Sequence, residues 1–210
     1  MNRRDFFRFG IRNAAKLAAE TVAGKFGLSD ERWIRPPYAL AETDFLQACT
    51  KCGACIDACS YDVLFNLPKD ISSTQASTPV MDLLVSGCHL CNDWPCVAVC
   101  EPKALQLPTS ENGEPPTSLA PLPKLARAVV DAITCLPYAG PECGVCVDAC
   151  PVPGAFNWID GVKPFIDETI CTGCALCREV CIVDPKAIDI FELTLNTKGG
   201  NTNRSAVNIG

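Results

Sequence analysis

Sixteen cysteines dominate the chemistry open to this 210-residue chain, and they fall into four groups of four. The first comb is Cys49-x2-Cys52-x2-Cys55-x3-Cys59, and the fourth repeats it as Cys171-x2-Cys174-x2-Cys177-x3-Cys181. The second reads Cys88-x2-Cys91-x4-Cys96-x3-Cys100; the third reads Cys135-x7-Cys143-x2-Cys146-x3-Cys150, with Pro151 following. No thiol is left over. Three thiolates two residues apart on a curled loop can reach three corners of one cubane. The fourth begins a helix that points away, and so reaches the other cubane of a pair. Four such runs accommodate four [4Fe–4S] clusters in two pairs.

Other uses of the thiols fit less well. Zinc ribbons pair two Cys-x2-Cys hooks and have no place for a third thiol in the same loop. Disulfide frameworks need an oxidising compartment and seldom repeat one four-thiol comb. His89 is the only histidine, which excludes both two-histidine Rieske ligation and a Cys2His2 finger. No Ser-His-Asp set, phosphate-cradling glycine loop or radical-type Cys-x3-Cys-x2-Cys run occurs, so no catalytic residue is expected and the chain reads as a non-enzyme. His89 itself reads as a loop residue with local hydrogen bonds. Trp94 and Trp158 read as cluster shielding or core packing, and Asp57, Asp93 and Asp148 as a solvated face.

These combs need elements to position them. Each is followed by a short apolar coda: Tyr61–Phe65, Ala104–Leu107, Ala155–Ile159 and Ala187–Phe191. Codas of this kind read as a half-turn and a strand. Leading strands precede the third and fourth combs at Ala128–Val130 and Pro164–Ile166. The repeating unit is therefore strand, cluster loop, short helix, strand. Polar connections, rich in Ser, Thr or Pro, run from Asn66 to Pro79 and from Pro108 to Pro123, and residues 196–210 read as a flexible tail.

Charge is uneven. Residues 1–35 hold eight Lys/Arg against four Asp/Glu, whereas residues 36–210 hold ten against twenty. An acidic body repels phosphate, which argues against nucleic acid. The Arg3-Arg4-Asp5-Phe6-Phe7 start is similar to a twin-arginine export signal. Yet Arg12, Lys16, Glu20 and Lys25 interrupt the apolar stretch such a signal needs. Ile11, Ala14, Ala15, Ala18 and Val22 instead recur at helical spacing. The expectation is a retained basic docking helix on a protein of the cytoplasm or inner membrane face, with peripheral membrane association open to it; periplasmic export is the alternative. No run approaches the roughly 18 apolar residues of a membrane span.

Several stretches together resemble the ferredoxin-type proteins of the MauM/NapG group, with a NapF-like start. These are Ile34-Arg35-Pro36-Pro37, Phe45-Leu46, Tyr61-Asp62, Pro95–Cys100, Cys143–Pro151 and Cys171-Thr172-Gly173-Cys174. Ser60, Glu101 and Ile182 depart from the group's usual proline after the fourth thiol. The resemblance implies an α+β fold of tandem bacterial-ferredoxin-like modules, two pairs of cluster-binding repeats with an N-terminal helix. It divides the chain into an arm at 1–40, an outer module of 41–67 plus 163–195, an inner module at 80–162 and the tail. By likeness to four-cluster subunits, Cys49, Cys52 and Cys55 would share a cubane with Cys181, and Cys171, Cys174 and Cys177 with Cys59. The inner pair would join Cys88, Cys91 and Cys96 with Cys150, and Cys135, Cys143 and Cys146 with Cys100. The function implied is single-electron relay between a quinol-linked or other donor protein and a terminal oxidoreductase. The alternative is a maturation factor that binds a molybdoenzyme catalytic subunit.

Overall fold

The computed structural model describes residues 33–69, 75–108 and 121–193. The expected basic helix and the tail lie outside the described residues, as do parts of both polar connections.

The first unit opens on α1 (Glu42–Ala48), whose Phe45 is fully buried. After the first comb's one-turn helix α2 (Ala54–Asp57) the chain enters β1 (Leu64–Asn66), which pairs antiparallel with β2 (Pro79–Met81). Leu64 lies opposite Met81, and both are buried. The second comb carries α3 (Pro95–Ala98), which packs on α2. The coda at Ala104–Leu107 forms only an isolated bridge, Ala39 with Leu105. The Leu40 N–H donates to the Ala104 carbonyl and the Gln106 N–H to the Tyr38 carbonyl on either side of it.

The second unit repeats this order with longer strands. It runs β3 (Arg127–Val130), α4 (Leu136–Ala139), α5 (Val145–Asp148), β4 (Phe156–Ile159), β5 (Lys163–Ile166), α6 (Leu176–Glu179) and β6 (Ile188–Phe191). The flanking strands β3 and β6 pair antiparallel, as do the inner strands β4 and β5, and α5 packs on α6. Alternation is clear on β5, where Pro164 and Ile166 face inward while Phe165 faces out, whereas β2 is buried throughout. Ala128, Ile166 and Ile188 meet Cys146 and Cys177 in one small core.

Two boundaries differ from the sequence expectation. Residues 33–40, grouped there with the arm, belong to the folded body. Ile34 exchanges backbone hydrogen bonds with Met81, and Pro36 and Pro37 are fully buried. Arg35 clamps Glu42 through two nitrogens at 2.6 and 2.9 Å, donates to Thr78 Oγ1 at 2.7 Å and covers the Phe45 ring. The strand pairing also departs from nested outer and inner modules: strands pair within 33–107 and within 121–193, while one buried core draws Leu125, Ala126, Val152 and Ala155 together with Ile34, Phe45 and Met81.

Candidate metal centre

The loops curl because specific residues enter the left-handed region. In the first comb these are Lys51 and Gly53, in the second Leu90 and Trp94, in the fourth Gly173 and Ala175. Each of these residues turns the chain so that successive thiols face one interior volume. Three of the six carry a bulky or polar side chain in a conformation that favours glycine. At the end of each comb's helix the fourth cysteine is held by the same bond. Cys59, Cys100, Cys150 and Cys181 donate their N–H to the carbonyls of Ile56, Val97, Val147 and Arg178 at 3.0–3.2 Å. That bond, three residues back, carries the fourth thiol off its own loop.

Three thiol-lined cavities result, of about 20, 30 and 20 Å³ and open in part to solvent. Cys49, Cys52 and Cys55 line the first with Cys100; Cys88, Cys91 and Cys96 line the second with Cys59. Cys135, Cys143 and Cys146 line the third with Cys181. In the fourth set Cys150 is an electrostatic neighbour of Cys171, Cys174 and Cys177. The four sets form the first to fourth centres, each numbered for the comb that supplies three of its thiols.

The expected pairing is therefore corrected. Cys181 does not join the first comb, nor Cys59 the fourth, nor Cys150 the second, nor Cys100 the third. The first comb exchanges its last thiol with the second, and the third with the fourth. The physical reason is that α2 packs on α3 and α5 on α6. Each one-turn helix delivers its fourth thiol to the loop its own unit places beside it.

Burial governs the thiols. It pushes Cys55, Cys88 and Cys146 up to about 11 and Cys96 to about 12, with neighbouring thiols adding to the shift. Cys177, the most deeply placed, is raised further by the same causes. Unligated, such a group of thiols is held in the neutral form. A bound cation would reverse that. Backbone N–H groups also aim at sulfur: Leu105 at Cys100, Gly173 at Cys171 and Ala187 at Cys181, at 3.3–3.4 Å.

The donor sets suit soft-metal chemistry. Four thiols line each of the three cavities, with mostly apolar neighbours, Thr50 and Lys51 beside the first and Tyr61 and His89 beside the second, and no carboxylate among the described residues does so; thiolate sets of this kind select iron–sulfur clusters or zinc. Among the described residues no three His, Cys, Asp or Glu converge to hold one bare ion. Each set surrounds a volume instead of a point, which fits a cluster.

Neighbouring aromatics close the second centre. Tyr61 stacks on His89 with ring centroids 3.5 Å apart and planes 5° from parallel, and Trp94 meets Tyr38 edge-on at 4.8 Å. His89 thus has an aromatic partner that its place beside Cys88 did not reveal. Trp158 is half exposed on β4 and reaches over Gly144, beside Cys143. Gly87 was missed altogether, since a lone glycine before a cysteine carries no signal.

Curated relatives align over most of this chain. A methylamine utilization ferredoxin-type protein MauM of Methylobacillus flagellatus is 34% identical over 80% of the chain and 73% of its own length. The MauM of Paracoccus denitrificans is 32% identical, covering 94% of the chain and 92% of that protein. The ferredoxin-type protein NapG of Escherichia coli is 32% identical over 92% and 87%. No family model and no solved structure matches the chain.

Proposed function

Because this chain belongs to the MauM/NapG group of ferredoxin-type proteins, we propose that it is an electron-transfer protein holding four [4Fe–4S] clusters. The observation that carries this reading is that each set takes three thiols from one comb and the fourth from the neighbouring comb. Such an exchange is the thiol arrangement of a paired-cluster module. The two units at 33–107 and 121–193 are then two such modules in sequence. When bound, each cluster supplies reversible one-electron chemistry. The chain's own residues ligate it, aim N–H groups at sulfur and limit water. Nothing in the proposal requires a substrate reaction.

Its partners are a donor redox protein and an acceptor oxidoreductase, met one at a time at exposed cluster edges such as Cys52. A location in the cytoplasm or on the inner membrane face goes with the basic N-terminal residues. No helix among the described residues is long and apolar enough to cross a membrane. A processing cut near Ala39–Ala41 would strip Ile34 and Arg35 from the core, so any cleavage that leaves the fold intact falls before Trp33.

Anaerobic iron and acid-labile sulfide analysis should return about sixteen of each per chain. A zinc-saturated preparation without sulfide would overturn the assignment. Rapid reduction by a donor protein and onward transfer to an acceptor is the expected behaviour. Binding to a catalytic subunit without electron transfer would favour an assembly role instead.

A further inference from the structure

The two units share a buried core, and their backbones come closest along one seam. Gly87 donates its N–H to Glu179 Oε2 at 2.7 Å, Cys88 donates to the Cys174 carbonyl at 2.8 Å, and Arg178 Nε donates to the Leu84 carbonyl at 3.2 Å. A Cβ on Gly87 would lie 2.6 Å from the Leu176 nitrogen, so no other residue lets the backbones approach this closely. Gly173, on the fourth loop, is packed as tightly: its Cβ would lie 2.0 Å from the Ala126 carbonyl oxygen. Cys88 and Cys174 are thiol-bearing residues of the second and fourth centres. Their main chains are joined directly by one hydrogen bond.

The same order continues on either side. Cys174 and Ala175 are buried with Cys55 and Cys96 in a core that both units supply. Cys177 shares the second unit's small core with Cys146. Cys96 also feels Cys55, Cys88 feels Cys174, and Cys177 feels Cys146.

We infer that the Gly87–Cys88 and Cys174–Ala175 contact is the electron bridge between the units, and that the four centres lie in single file in the order first, second, fourth, third. This rests on the four-cluster reading above. The first and third centres are then the two ends, and the second and fourth form the junction. Gly87 is the positioning residue that holds the junction at backbone contact; Gly173 packs its loop against Ala126 of its own unit. An electron crossing the bridge oxidises one side by one and reduces the other by one; no bond forms or breaks and no proton moves.

Loss of a single cluster tests the order. In the full-length, dithionite-reduced protein, neighbouring reduced clusters split one another's electron paramagnetic resonance signals. Cys91→Ala removes the second centre and should leave the first unsplit, with the fourth and third still coupled. Cys52→Ala removes an end and should leave three coupled centres with no unsplit signal. Cys174→Ala and Cys143→Ala are the mirror pair in the second unit, and serve if the first pair fails to assemble. Each variant should retain about twelve irons. An unsplit signal in Cys52→Ala, together with full coupling in Cys91→Ala, would overturn the file while leaving the four-cluster reading intact. Absence of sulfide-bound iron in the wild type would overturn that reading first. In the loaded wild-type protein, hydrogen exchange at the Cys88 amide should be as slow as in the β3–β6 ladder. Exchange at the rate of an open loop would remove the bridge.

Discussion

The thiols are the residues whose environment departs furthest from water, and the sign of that departure sets their pH dependence. An ordinary thiol here titrates near 9, while Cys55, Cys88 and Cys146 are pushed to about 11 and Cys96 to about 12. In the iron-free fold the raised values favour the protonated state. That contribution is complete below pH 9 and is lost as pH rises through the folded values. Cluster binding has the opposite sign, since each ligating thiol must give up its proton. Reconstitution is expected to acidify a weakly buffered solution. Iron retention against a fixed chelator should be greater at about pH 8.5 than at about pH 6.5. Retention that falls as pH rises across that window would contradict ligation by deprotonated thiols.

Loop curvature belongs to the scale of the elements, and two glycines separate its causes. Gly53 has φ +82° with nothing within 4 Å of a Cβ, so Gly53→Ala meets only the cost of a left-handed residue, about 1 kcal/mol. Gly173 has φ +74° and its Cβ would overlap the Ala126 carbonyl. Gly173→Ala therefore adds overpacking to strain and should cost about 3 kcal/mol or more. Denaturation midpoints of the loaded variants would rank them, and equal losses would show that close approach at Gly173 is not a constraint. The strand codas after Cys59, Cys150 and Cys181 were legible from their apolar runs, as were β3 and β5. β2 was not, because Pro79–Met81 lies at the edge of a polar connection and becomes a strand only by pairing with β1. The coda after Cys100 failed in the other direction: Tyr38–Leu40 offers it a single bridge and no ladder.

Across the whole molecule, the apolar core is small and the thiol sets occupy its centre. Cysteines hold four of the nineteen buried positions of the larger core, so removing the metal empties the volume that the other side chains pack around. Structural metal binding can supply on the order of 10 kcal/mol, comparable to the whole stability of a domain. Anaerobic chelation of iron under reducing conditions should abolish protection of the β3–β6 amides and remove a single cooperative unfolding transition. Retention of both in the iron-free chain would show that the apolar contacts suffice alone. The seam through Cys88 and Cys174 implies, in addition, that loss at the junction is felt in both units.

Thiol count, comb spacing and the apolar codas pointed to the candidate ligand residues, and the resemblance of several short stretches pointed to the ferredoxin-type family that the relatives bear out. These are local properties: a spacing of two or three residues fixes how far apart thiols can be on one curled loop, and a short apolar run marks where a strand can form. Which comb receives Cys59, Cys100, Cys150 or Cys181 is not local. The two regular combs suggested a partnership of first with fourth, but similarity of spacing exerts no force. Strand pairing and helix packing within each unit decided it, joining first to second and third to fourth. The assignment of residues 33–40 to the body likewise depended on Met81, Glu42 and Thr78, forty or so residues distant for two of the three. The spatial order of the centres came from a glycine at 87 small enough to let two backbones touch, a requirement visible only once both backbones are in place.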